Sequence, residues 1–152
     1  MLGVKSIPCS GGIAKYTEEL GSRLVARGHQ VTVYCRPHYL DDQTCGTHLG
    51  IQRCTSPGLR GKHFDAPSHT LTATCNSILR DFDVLHIHGL APGFVTPLVR
   101  AFSRKRIVLT AATREYVRYA FNWDRTTDSY EQLYTSCVQT KQKEGSVVSA
   151  AR

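Results

Sequence analysis

The sequence predicts an α/β fold, a parallel β-sheet flanked by helices, and three observations lead to this prediction. A helical pattern with one apolar face over residues 12–27 is followed within a few residues by the β-branched and aromatic stretch 30–36. A short apolar run at 83–89 closes on a glycine, which is typical of a buried parallel strand. The chain has 152 residues, 41% of them hydrophobic, which is enough for one domain with its own core.

The first helix is indicated by apolar side chains at helical spacing. Ile13, Tyr16, Leu20 and Leu24 recur every three or four positions, with charged side chains between them. This pattern predicts a surface helix with one buried stripe, and Gly28 is expected to end it. The return from helix to strand that follows is characteristic of an α/β unit.

The middle of the chain predicts a weak strand, a helix and a strong strand. The weak strand lies near Ile51, within the loop-rich segment 37–62. Asp65 precedes Ala-Pro and opens a helix that is expected to run to about Leu79, since proline is tolerated in a first turn. The strong strand is the apolar run 83–89, and ligands of parallel sheets gather at the carboxyl ends of such strands.

The last third of the chain predicts less regular structure. A helix is expected from about Pro92 to Phe102, bent at Pro97, and residues 106–110 form the next strand. Residues 114–123 are a weaker helix candidate. From residue 124 the chain turns polar and shows no core pattern, so 124–152 is expected to be a divergent, loosely packed tail.

Composition limits the classes of function without choosing one. The formal charge is +7, from 19 basic and 12 acidic side chains, which favours anionic partners such as nucleotides, phospholipid head groups or nucleic acid. No run reaches the ~18 apolar residues of a spanning helix, and residues 1–5 lack the apolar stretch of a signal peptide. The chain is therefore expected in the cytoplasm, and its six cysteines, with no C-x-x-C pair, are expected to be reduced and structural.

A glycine pair at the entrance of the first helix is the first candidate site. Ser10-Gly11-Gly12 lets backbone N–H groups approach an anion closely, and the helix N-terminus adds partial positive charge. Phosphate is therefore the expected ligand of Gly11 and Gly12. The alternative is an ordinary turn, because glycine pairs often serve turns and G-x-G-x-x-G is not present.

Two histidines in the strong strand form the second candidate site. Strand alternation puts the side chains of His86 and His88 on one face, so a metal pair is conceivable. No third ligand at suitable spacing accompanies them. Structural or cleft-lining histidines are therefore favoured over a metal site, and no metal is predicted.

A basic group near the third helix is the third candidate site. Arg100, Arg104, Lys105 and Arg106 lie beside its apolar face and could contact anionic lipid, although a solvated basic face is the favoured interpretation. Residues 114–119 interleave aromatic and basic side chains, but no nucleic-acid-binding signature accompanies them, so no nucleic-acid partner is expected. No local motif places a Ser-His-Asp set or a Cys-His pair, so hydrolase chemistry has no support.

Several motifs, in order and at matching spacing, resemble the N-terminal half of family 4 glycosyltransferases, above all bacterial enzymes of surface and exopolysaccharide biosynthesis. The resemblance covers about residues 3–123. The matching stretches are Ile7-Pro8 with Gly11-Gly12-Ile13, Tyr16 to Leu20, Leu24 to His29, Val31 to Arg36, Lys62 to Asp65 with Ser68 to Leu71, His86 to Gly89, and Phe102 to Lys105 leading into Val108-Leu109-Thr110.

The resemblance implies a fold, a reaction and a site. Such enzymes have the GT-B arrangement of two Rossmann-like domains across a cleft, and these residues resemble the first, acceptor-side domain. The implied reaction moves a hexose or deoxyhexose from a nucleotide-sugar to a glycan or lipid-linked acceptor, without a metal or other cofactor. By resemblance, Gly11 and Gly12 contact the donor diphosphate, whereas His86, His88 and Gly89 line the cleft.

The departures from the family pattern concern both ends of the chain. Relatives begin with a strand before the equivalent of Gly3, so the central strand is expected to be missing or cut short. Ala112 stands where the family's functional histidine is expected, and residues 124–152 do not supply the second domain with its basic residues and paired glutamates. The resulting hypothesis is a truncated transferase half that is inactive alone. The alternative is a non-catalytic module that binds a glycan, an anionic membrane surface or a partner subunit. In the second case the chain would be a peripheral protein at the inner face of the membrane.

Overall fold

Strands and helices alternate along most of the chain. The computed structural model describes residues 1–40, 46–59, 61, 63–89, 91–110 and 123–150, with side chains as far as residue 140. In chain order the elements are α1 (Gly12–Ala26), β1 (Thr32–Cys35), β2 (Thr47–His48), β3 (Ile51–Thr55), α2 (Asp65–Leu79), β4 (Val84–His88), α3 (Thr96–Phe102), β5 (Arg106–Thr110) and α4 (Trp123–Ala150). The predicted α/β class is confirmed.

The strands form a mostly parallel sheet whose centre is occupied by residues 1–5. β1 pairs in parallel with β3, β4 pairs in parallel with β5, and the short β2 runs antiparallel on the outer side of β3. The N–H of Tyr34 donates to the carbonyl of Met1 at 3.1 Å, and the N–H of Leu2 donates to the carbonyl of His86 at 2.8 Å. Residues 1–5 therefore join β1 to β4, giving the order β2-β3-β1-(1–5)-β4-β5.

Close packing of the central segment requires a glycine. Gly3 has a φ of +96°, and a Cβ there would lie 2.2 Å from the carbonyl oxygen of His88. The N–H of His88 also donates to the carbonyl of Leu2 at 2.9 Å. A side chain at position 3 would therefore separate the segment from β4.

The helix α1 has the predicted buried stripe, with one difference at its start. Tyr16, Leu20 and Leu24 are buried, whereas Ile13 in the first turn is 39% exposed. The stripe therefore begins one turn later than its periodicity predicts. Gly28 follows the helix with a φ of +89°, as expected of a residue that ends it.

Two apolar layers cover the two faces of the sheet. Residues of α1, β1 and β3 form one layer, and residues of α2, α3 and β4 form the other. Along β4 the side chains alternate between these faces: Leu85 and Ile87 lie in the layer beneath α2 and α3, whereas His86 and His88 point to the opposite face. The sequence of β4 thus presents a polar pair on the face that α1 covers.

The third predicted helix is divided into two pieces. A 3-10 turn spans Ala91–Val95, and α3 begins only at Thr96, with Pro97 in its first turn. Proline is tolerated there because a first-turn N–H has no helical partner. The sequence predicted a bend in the middle of a helix at Pro97, whereas Pro97 lies in the first turn of α3.

The C-terminal part differs from the expected loosely packed tail. α4 covers Trp123–Ala150, and Trp123, Tyr130 and Tyr134 pack against the layer around α1. Three ion pairs and one hydrogen bond of a histidine add to this contact. They are Arg23–Asp124 at 2.7 Å, Arg27–Asp128 at 2.6 Å, Arg27–Glu131 at 2.7 Å and His29–Glu131 at 2.9 Å. The contact relies on aromatic rings and charges, which is why an aliphatic core pattern is missing there. The helix predicted at 114–123 lies outside the described residues, except for Trp123.

Candidate functional site

The candidate site lies at the carboxyl edge of the sheet. Residues 1–5, β1, β4 and β5 are parallel, so Lys5, Cys35, His88 and Thr110 all lie towards this edge. The glycine loop, residues 10–12, follows the central segment and so lies at the same edge. Ligands of open parallel sheets bind in this position, because the loops there are free to shape a site.

The glycine loop presents bare backbone at the start of α1. Gly11 is the N-cap residue, with φ −103° and ψ 146°, and no side chain caps the helix. A Cβ at Gly11 or Gly12 would meet nothing within 4 Å, and neither residue has a positive φ. The fold therefore does not need glycine at either position, whereas a ligand approaching the first-turn N–H groups would benefit from the missing side chains.

Tyr16 connects the glycine loop to the end of β4. It lies one helical turn after Gly12, and its ring centroid is 5.8 Å from that of His88, edge to face. One turn of helix rises about 5.4 Å. Tyr16 therefore lies between the glycine loop, one helical turn away along α1, and the ring of His88.

The histidines belong to a buried polar group that we call the imidazole–tyrosine cluster. His86 lies at its centre: Nε2 is 2.6 Å from Thr110 Oγ1, and Nδ1 is 2.5 Å from the hydroxyl of Tyr134. The hydroxyl of Tyr130 lies 2.8 Å from the same Thr110 oxygen. The members of the cluster are Tyr16, His86, His88, Thr110, Tyr130 and Tyr134.

The cluster fixes the state of His86. Both ring nitrogens have hydroxyl partners, so neither is free to bind a metal ion. Burial, the neighbouring His88 and the amino terminus all lower the pKa of His86 well below its ordinary value. The ring is therefore neutral, and it links α4 to the ends of β4 and β5 through uncharged hydrogen bonds.

His88 is enclosed as completely as His86. It is 2% exposed, and its ring centroid lies 4.1 Å from that of His86. Burial, followed by the charge of the amino terminus, lowers its pKa to about 3. Both rings lie on the face covered by α1 and α4. Of the three residues expected in the cleft, Gly89 is the one that is partly exposed at the carboxyl edge, where its φ is +93°.

A second polar group at the carboxyl edge escaped the sequence analysis. Arg36 follows β1 and donates to Asp65 Oδ2 at 2.9 Å, and His38 Nε2 lies 3.2 Å from Asp65 Oδ1. Lys5 and the Arg36 guanidinium lie 5.2 and 6.0 Å from the centroid of the Tyr39 ring, which is 42% exposed. The sequence offered only a positional signal for this group: Arg36 comes directly after a strand, and Asp65 stands at the start of a helix. Neither residue belongs to a specific motif.

The basic group at 100–106 lies towards the other edge of the sheet. Arg106 begins β5, and the Lys105 ammonium donates to the carbonyl of Arg80 at the end of α2. Two exposed apolar side chains lie in the same region, Leu79 at 86% and Phe102 at 73%. The patch is thus separated from the glycine loop by the length of the strands.

Other predicted features are described only in part. Ala112 lies outside the described residues. Within the described ranges, no three histidine, cysteine or acidic side chains are grouped so as to hold a metal ion. The cysteines at 9, 35, 54, 75 and 137 are free thiols, and none of the described helices is long and apolar enough to cross a bilayer.

Comparison with known proteins gives one match. The model of the family described as Glycosyltransferase Family 4 matches residues 10–139, from the glycine loop into α4. No curated protein and no solved structure matches the chain.

Proposed function

Because the chain belongs to glycosyltransferase family 4, we propose that it forms the acceptor-side wall of a sugar-transfer site. The proposed donor is a nucleotide-sugar carrying a hexose or deoxyhexose, and the proposed acceptor is a glycan or a lipid-linked sugar of bacterial surface polysaccharide biosynthesis. The observation that supports this most is the glycine loop, whose missing side chains the fold itself does not require.

The proposed chemistry is positioning together with electrostatic stabilisation. The N–H groups that follow Gly11 hold the departing diphosphate, whose negative charge grows as the bond to the sugar breaks. The polar group around Arg36 and Asp65, with the exposed ring of Tyr39, is available at the same edge to orient an acceptor. Ala112 has no side-chain group that can take a proton.

We expect these 152 residues to bind without turnover, because one wall of a cleft does not hold donor and acceptor together. The test is a sugar-transfer assay with a panel of nucleotide-sugars and lipid-linked acceptors, measuring nucleoside diphosphate release and glycan product. No product above the rate without protein is the expected result. Turnover that is lost in Gly12→Val would show a complete active site in these residues and would overturn the proposal of an inactive half.

A second candidate function is contact with an anionic membrane surface, in the cytoplasm and at the inner face of the membrane. Leu79 and Phe102, large and exposed, lie beside Arg80, Arg104 and Lys105, which is the composition of an interfacial binding patch. This patch lies at the amino edge of the sheet, so membrane contact there would turn the glycine loop away from the bilayer. The glycine loop therefore supports the first function more directly.

A further inference from the structure

The two cations at the carboxyl edge of the sheet, Lys5 and Arg36, differ in their pairing. Arg36 forms an ion pair with Asp65 Oδ2 at 2.9 Å, and both side chains are 12% exposed. His38 Nε2 lies 3.2 Å from the other oxygen, Oδ1, so both oxygens of Asp65 face partners other than Lys5. Lys5 is exposed, and among the described residues its ammonium has no carboxylate partner. It is therefore available to an anion from solution.

A partly exposed aromatic ring lies beside this ammonium. Lys5 Nζ is 5.2 Å from the centroid of the Tyr39 ring, which is 42% exposed. The His38 ring lies 4.5 Å from the Tyr39 ring, centroid to centroid, and holds it in place. Such a ring offers apolar surface to the C–H groups of a sugar. The separation of 5.2 Å is close to the width of one pyranose ring, so a single sugar can touch both the ring and the ammonium. We call Lys5, Arg36, His38, Tyr39 and Asp65 the ring–cation group.

The described side chains of the ring–cation group carry one net positive charge. Lys5 and Arg36 are cations, Asp65 is an anion, and His38 is counted as neutral. His69, which is 1% exposed and lies close to this group, adds no charge, because burial above all lowers its pKa. One carboxylate balances this charge, whereas a phosphate monoester carries about −1.5 to −2 charges at pH 7. The balance therefore favours a carboxylate.

We propose that the ring–cation group binds an acidic sugar, a uronic acid residue whose carboxylate pairs with Lys5 while its ring packs on Tyr39. In a uronic acid the carboxylate is attached directly to the sugar ring, so the charge and the apolar C–H face belong to one residue. The guanidinium of Arg36, 6.0 Å from the Tyr39 centroid, adds positive potential from the side of the ion pair. A neutral hexose offers the ring contact without the charge and is expected to bind less tightly.

The position of the group gives the acidic sugar the role of acceptor. The N–H of Arg36 donates to the carbonyl of Lys5 at 2.7 Å, which fixes the group to the end of the central segment. The chain runs from there directly into the glycine loop, so both lie at the same edge of the sheet. The role as acceptor rests on the proposed function, whereas the binding of the sugar rests on the cations and the ring alone.

The test compares three sugars that differ in one substituent. Methyl glucuronide carries a carboxylate, methyl glucoside carries a hydroxymethyl group in its place, and the third probe is methyl glucoside phosphorylated on that group. Dissociation constants are measured from amide chemical shifts of the 152-residue chain at low salt, because salt screens exposed charges. We expect the glucuronide to bind about fivefold or more tightly than the glucoside and more tightly than the phosphate. The shifts should centre on Lys5 and residues 36–39.

Two variants of equal charge locate the preference. Lys5→Gln should abolish the difference between glucuronide and glucoside, whereas Arg100→Gln, at an exposed position towards the other edge of the sheet, should preserve it. Equal binding of the two sugars by the unaltered chain would overturn the proposal, and it is the result expected if Asp41 or Asp42, outside the described residues, neutralises Lys5. A preference that survives in Lys5→Gln, or tighter binding of the phosphate, would overturn it too.

A nucleotide-sugar titration of the same samples separates this proposal from the function on which its acceptor role rests. Shifts at residues 11–14 report the donor, and shifts at Lys5 and residues 36–39 report the acidic sugar. Donor binding without a preference for the glucuronide would overturn the acidic-sugar site and leave the proposed function standing. A preference for the glucuronide without donor binding would support the acidic-sugar site and contradict the proposed function.

Discussion

Acidification from pH 6.5 to 4.5 is expected to lower the free energy of unfolding by about 2 kcal/mol through His88 alone. Burial lowers the pKa of His88 to about 3, so it stays neutral in the folded protein throughout this range. In the unfolded chain it gains a proton below about pH 6.5, so the unfolded state binds more protons and stability falls with pH. His86, whose pKa burial also lowers, acts with the same sign. The pKa of the Met1 amino group is lowered from 8.0 to about 5, so this group also binds more protons in the unfolded chain. It therefore extends the loss of stability on acidification to the range between pH 8 and 5.

The measurement is urea unfolding at pH values from 4.5 to 7.5. His88→Leu should flatten the dependence of the free energy of unfolding on pH, whereas His63→Gln, at an exposed position, should leave it unchanged. Total stabilities of small domains are about 5–15 kcal/mol, so the expected loss is a large share. A free energy of unfolding that is constant between pH 6.5 and 4.5 would contradict the buried, neutral state of these histidines.

Removing the Tyr134 hydroxyl is expected to cost about 1–3 kcal/mol, because it leaves His86 Nδ1 buried without a partner. Tyr134→Ala also removes the ring that packs between α4 and the sheet, and it should cost about 3–5 kcal/mol. The measurement is again the free energy of unfolding in urea. Tyr39→Phe is the matched control, since this ring is 42% exposed and its change should stay within about 0.5 kcal/mol.

A double-mutant cycle separates the hydrogen bond from general packing. His86→Phe removes the polar nitrogens, so Tyr134→Phe should cost much less in that background than in the wild-type chain. Equal costs in the two backgrounds would show that the hydroxyl of Tyr134 acts independently of His86, and the cluster described above would then be wrong.

Regular patterns made much of the fold predictable from the sequence. The spacing of Tyr16, Leu20 and Leu24 predicts α1, and the apolar run around Leu85 predicts β4, because a buried face imposes its own period on the residues. The helix α2 begins and ends at the predicted residues, Asp65 and Leu79, since a proline in the first turn marks a start. Local chemistry determines these elements.

The contacts of α4 could not be predicted in the same way. The residues on its inward face are Trp123, Thr127, Tyr130 and Tyr134. This stripe carries aromatic rings and hydroxyl groups, so a search for aliphatic residues at helical spacing does not detect it. Thr127 is fully buried, although threonine usually lies at the surface. The pairing of such residues depends on partners about a hundred positions away, such as Arg23 for Asp124. No local spacing reveals that.

The candidate site was predictable in part, for a similar reason. The glycine loop stands out because its residue types are unusual at a helix start, whereas the partners of His86 come from β5 and α4. Sequence placed both histidines on one face but could not show that α4 covers them. The group around Arg36 and Asp65 consists of common residue types brought together only by the fold.

Amide chemical shifts during a titration with nucleotide-sugars test the proposed donor contact most directly. Saturable changes centred on residues 11–14 and Tyr16, lost in Gly12→Val but kept in Gly61→Val, are the predicted result. A Cβ at Gly12 or Gly61 meets nothing within 4 Å, so both variants should fold equally well. Changes centred elsewhere, or changes that survive in Gly12→Val, would contradict a diphosphate site at the glycine loop.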